Sequence, residues 1–126
     1  MLEILLGWVF YLAPDLGRAE PPELEYQEHS FFVENACGGK ECNVLGWYND
    51  NGTLYLDDRV TGTLRDQLIV HELVHYLQDV NGDYDSLNCE DSLARERQAY
   101  RIQQAYAIEG QVQLPRMVNH KVRCNK

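Results

Sequence analysis

The sequence predicts an α+β domain, and three observations carry the prediction. Leu64, Leu68, Ile69, Leu73 and Leu77 recur at helical spacing, and a second helical pattern runs from Asn88 through Ile108. Two strand-like runs, Val44 to Tyr48 and Thr53 to Leu56, flank Asn49-Asp50-Asn51-Gly52, whose Asn-Gly pair supplies the positive φ values of a tight hairpin turn. The chain has 126 residues, 44% apolar and 25% charged, the profile of one compact domain over 1–126.

The elements follow in order. Ile4 to Ala13 is an apolar run, far too short to span a bilayer. Gly17-Arg18-Ala19 after it resembles a small-x-small cleavage site, but Glu3 precedes it where an export signal would be basic. The segment is read as the first helix of a domain trimmed of its export signal. Pro14, Pro21 and Pro22 punctuate the connection to Glu23–Glu28, where Leu24 and Tyr26 alternate with polar residues as in a half-buried strand. The hairpin comes next. Thr63 with Asp66 gives a capping-box-like start to the first long helix, and Gly82 ends it. The second long helix opens at Asn88 with Glu90 and Asp91 favoured by the helix dipole, and stops at Gly110. The polar tail, Gln111 to Lys126, reads as a strap. The sheet is therefore short, antiparallel or mixed, with a helical core over 62–110.

Charge excludes one class of partner. Twenty acidic against 11 basic side chains give a net charge of −9, the opposite of what binding a phosphate backbone requires, so no nucleic acid partner is expected. Residues 1–58 hold 11 acidic and 2 basic side chains, whereas 59–126 hold 9 of each. Such a half confers solubility or attracts cationic substrates.

Cys37, Cys42, Cys89 and Cys124 allow three pairings. Cys37–Cys42 would close a short loop across Gly38 and Gly39, and Cys89–Cys124 would tie the tail to the helical body. A four-cysteine zinc site is the rival, but Cys37-x4-Cys42 is a loose spacing and no second close pair exists. Disulfides imply an oxidising compartment, hence a secreted or periplasmic protein.

Chemistry concentrates in His71-Glu72-Leu73-Val74-His75. Two histidines four apart lie on one helix face, so both imidazoles reach a single cation, and Glu72, about a hundred degrees around, can touch a water there without ligating the metal. A catalytic zinc takes three protein ligands and keeps one open position. Gln78 and Asn81 occupy the positions where a longer motif would carry Gly and a third His, so the third ligand comes from elsewhere. Glu96 fits: the chain can finish one helix, turn at Gly82 and return antiparallel, and the small Ala99 lets the helices approach. Glu90, Asp91 and Glu109 sit near helix ends, where capping and solvation account for them.

At these residues the chain resembles the zincin metallopeptidases of the gluzincin branch. The resemblance covers residues 63–108. It implies one catalytic zinc held by His71, His75 and Glu96, with Glu72 as general base taking a proton from the water and passing it to the leaving amine. It also implies a small sheet whose edge strand binds an extended peptide or protein substrate, with Tyr55 and its neighbours as that edge. In many members an Asp four residues after the glutamate ligand orients a zinc histidine; Tyr100 stands there instead and is the corresponding candidate. An oxyanion donor is expected beyond the glutamate helix, with His120 as the candidate and Tyr106 as the other option. His29 reads as a surface residue.

Two further readings stay open. One is a zinc-containing binding or regulatory module with little or no proteolytic activity, against which the intact Glu72 argues. The other is a cytoplasmic protease that cuts repressors, which the four cysteines and the lack of a basic segment disfavour.

Overall fold

The computed structural model describes residues 2–49, 51–82 and 88–110. Its elements run α1 (Leu2–Leu12), a 3-10 turn (Pro14–Leu16), β1 (Glu23–Gln27), α2 (His29–Asn35), β2 (Gly46–Tyr48), β3 (Thr53–Asp57), α3 (Gly62–Asn81) and α4 (Cys89–Glu109). The class is α+β. The strand order is β1-β3-β2, with β1 parallel and β2 antiparallel to β3.

Helix α3 is the centre of the molecule, packed against α1, α4, β2 and β3. This explains why its sequence is apolar on more than one face: Ile69, Val70, Leu73, Val74 and Leu77 are all fully buried. Strand alternation does the same from the other side. Leu54 and Leu56 of β3 are fully buried in the core shared with α3, while Tyr55 between them turns to the opposite face. There it meets Phe31 of α2 at 4.7 Å and Trp47 of β2 at 6.0 Å, ring centre to ring centre. Helix α1 joins the core through Leu5, Leu6 and Val9 and sets Trp8 edge-on to Tyr106 of α4. Among the described residues, no helix is long and apolar enough to cross a membrane.

Several expectations are corrected. Tyr55 is not on an edge, because β3 is the middle strand, hydrogen-bonded on both sides; the edges are β1 and β2. Thr63 does not cap α3. The helix begins two residues earlier than that cap implies, at Gly62 with Thr61 at the N-cap and no side-chain capping bond. Helix α4 starts where expected, and Asn88 Oδ1 caps it by accepting from the amides of Glu90 and Asp91. Helix α2 has no counterpart in the sequence reading: seven residues are too few for a helical period to stand out, and it is held by the fully buried Phe32.

Cys37 and Cys42 form a disulfide, and no described cysteine is a free thiol. Cys124 lies outside the described residues, as does His120.

Candidate metal centre

Two neighbouring stripes on α3 build the site. Residues 71, 75 and 78 follow one another at helical spacing and face α4; residues 72, 76 and 79 form the next stripe round and face β2. One helix thus addresses two partners with adjacent residues.

On the α4 side, His71, His75 and Glu96 each offer an atom lying within 4.8 Å of the others. Glu96 Oε1 is 2.5 Å from His75 Nε2 and Glu96 Oε2 is 3.5 Å from His71 Nε2. The imidazoles sit deep, and Glu96, 38% exposed, closes the cluster on its outer side. Fully buried Ala99, one turn after Glu96, permits this approach. Two imidazole nitrogens and one carboxylate oxygen are a donor set that suits zinc and also accommodates cobalt or manganese. The three ligand candidates named from spacing are therefore brought together.

Each histidine is gripped from behind by a neutral amide. His71 Nδ1 donates to Gln103 Oε1 at 2.9 Å, and His75 Nδ1 donates to Gln78 Oε1 at 2.8 Å. Both glutamines are buried. With each Nδ1–H so occupied, each Nε2 faces Glu96. Tyr100 packs its ring against the His71 ring at 4.6 Å, while the His71 Nδ1–H is accepted by Gln103, seven residues after Glu96.

The electrostatics fit a cluster that holds positive charge. Burial by itself would raise Glu96, but hydrogen bonds from His71 and His75 outweigh it and hold the carboxyl well below the usual range. Burial pushes His75 down, yet its bond to Glu96 and the nearby Glu72 charge leave its pKa above the ordinary histidine value. Burial, and then the Glu96 and Glu72 charges, push the Tyr100 phenol up, which keeps it protonated beside the cluster.

On the β2 side, Glu72 Oε2 accepts the backbone amide of Tyr48 at 3.0 Å. The Tyr48 ring stands edge-on to Tyr76 at 5.7 Å, and its hydroxyl donates to Asp79 Oδ2 at 2.9 Å. Gly46 faces the same way. A Cβ there would lie 3.4 Å from Glu72 Cγ, so a hydrogen at this position leaves space beside the carboxylate.

Tyr106 is buried, with its ring edge-on to Trp8 of α1. His29 is no loose surface residue. Its ring is 18% exposed, with Nδ1 donating to the fully buried Asp57 at 2.9 Å and Nε2 to Glu41 at 2.8 Å. Gln78, Gln103 and Tyr48 escaped the sequence reading. Gln78 three residues after His75, and Gln103 seven after Glu96, stand at helical spacing from a ligand, and that signal could have named them.

No protein-family model, curated protein or solved structure matches this chain.

Proposed function

We propose that this protein is a zinc-dependent peptidase. One observation carries the reading: His71, His75 and Glu96 converge within 4.8 Å, while Glu72, between the histidines in sequence, is held apart on β2 by the Tyr48 amide. Three residues form a donor set, and a second carboxylate, Glu72, stands beside it without joining it.

His71, His75 and Glu96 would hold the ion, and zinc when bound supplies a Lewis acid that polarises a carbonyl and acidifies water. Glu72 takes a proton from the attacking water and returns it to the leaving amine. The Tyr48 amide keeps one carboxylate oxygen occupied, so the other is the one that moves the proton. The same amide projects from β2, an edge strand, toward Glu72. An extended substrate lying along that strand would bring its peptide bonds past the carboxylate. The acidic N-terminal half would draw basic peptides. The Cys37–Cys42 bridge supports a secreted or periplasmic setting.

The test is zinc stoichiometry by equilibrium dialysis, followed by incubation of the loaded protein with a diverse peptide library, Glu72→Gln serving as the blank. Cleavage by wild type alone supports the reading and reports the side-chain preference. Absence of zinc binding overturns it; zinc bound with no peptide cut replaces it with a binding module.

A further inference from the structure

Gln78 makes more contacts than a space-filling core residue needs. Its Nε2 donates to the main-chain carbonyl of Arg95 at 3.1 Å and to Gln98 Oε1 at 2.8 Å, while its Oε1 accepts from Arg95 Nε at 3.2 Å and from His75 Nδ1 at 2.8 Å. Two of these partners have only one role open to them. A main-chain carbonyl only accepts, so the atom facing it must be the amide nitrogen. A guanidinium only donates, so the atom facing it must be the amide oxygen. The orientation of the Gln78 amide is thereby fixed by groups of α4, and the His75 nitrogen opposite its oxygen has to carry a hydrogen.

We infer that Gln78 is a positioning residue that locks His75 in the Nδ1–H tautomer, so that α4 delivers the ligand Glu96 and, from the residue before it, the hydrogen bonds that turn His75 Nε2 into a bare donor. The inference rests on the metal-centre reading for its consequence but not for its test. With Nδ1–H held by Gln78, the nitrogen left toward Glu96 Oε1, 2.5 Å away, is Nε2. In the metal-free protein a proton between Nε2 and the carboxylate accounts for that contact, and a divalent cation held by the cluster takes the proton's place. The lock uses a neutral amide, so Glu96 remains the sole anion supplied by the three ligand residues.

The experiment is a long-range proton–nitrogen correlation spectrum of the metal-free protein at alkaline pH, above the raised His75 pKa, together with zinc affinity by chelator competition. Wild type is expected to show His75 protonated on Nδ1. Gln78→Leu is expected to populate the Nε2–H form and to lose about 10- to 100-fold in zinc affinity. Gln78→Glu, which keeps an acceptor toward Nδ1, restores the Nδ1–H signal. A wild-type spectrum with the hydrogen on Nε2 overturns the proposal, as does a folded Gln78→Leu with unchanged tautomer and affinity. If Gln78→Leu does not fold, the wild-type spectrum decides alone. An Nδ1–H signal in a protein that binds no zinc upholds the lock while removing the peptidase reading, so the two failures are distinguishable.

Discussion

The amide of Tyr48 donates to Glu72 Oε2 at 3.0 Å, so the carboxylate is anchored to the sheet while His71, its neighbour in sequence, is anchored to α4 through Gln103. The proposed ligand and the proposed base are one residue apart on α3 and yet are held by different parts of the fold. Substitutions that disturb the two should therefore separate metal binding from turnover.

Glu96→Ala removes the only anionic member of the donor set and is expected to abolish tight zinc binding. Glu72→Gln leaves that set intact and is expected to keep zinc while losing turnover by at least about a hundredfold, the scale of a general base's contribution. Metal analysis and kcat measured on both variants check the split. Zinc retained by Glu96→Ala would point to a different third ligand.

Ala99 is fully buried between α3 and α4. A larger side chain forces the helices apart, at about 1–3 kcal/mol of stability. Ala99→Leu should lower the unfolding free energy by that amount in a urea titration and weaken zinc binding as well, because Glu96 moves away with its helix. Unchanged zinc affinity in a destabilised Ala99→Leu would show that the spacing of the helices does not govern the ligand.

The His29–Asp57 cluster gives stability a pH dependence. The Arg59 side chain, against the cost of burial and with help from His29, holds Asp57 at about 2 rather than 3.8. That contribution is complete above 3.8 and is lost as pH falls through about 2. His29 moves the other way: Glu41, then Asp57, raise it above 6.5, so its contribution is complete below 6.5 and is lost as pH rises through the raised value. Thermal melts of wild type and His29→Gln should differ most in mildly acid buffer and converge in alkaline buffer. Curves separated equally at every pH would refute this account.

The Cys37–Cys42 bridge closes a loop that carries Glu41, the outer partner of His29. Loop-closure entropy for so short a ring is worth about 2 kcal/mol. A Cys37→Ser/Cys42→Ser double variant should unfold at lower urea by that amount with the same m-value. It should also lose part of the pH dependence seen at His29, since Glu41 is no longer held in place. Retention of the full pH dependence would assign it to Asp57 alone.

Much of this was legible in the chain because it is local. Helix α3, helix α4, the β2–β3 hairpin and the sharing of one face by His71 and His75 all follow from periodicities that act over a few residues. Glu96 could be named because one turn and one helical return bring it back to α3. The parallel pairing of β1 with β3 could not be named, since their register, Glu23 to Thr53, spans 30 residues and depends on what α3 covers.

The sequence by itself determined which residues could chelate a cation and which carboxylate stands beside them, because a helix places residues one, three and four apart at fixed angles. Tertiary structure alone decided who holds them. Gln103 is 32 residues from His71, and Tyr48 is 24 from Glu72. These hydrogen bonds exist only once β2 and α4 have docked on adjacent faces of α3. Hydrogen bonds require contact within about 3 Å, and over such separations no local periodicity fixes a distance that finely; only packing of the whole core does.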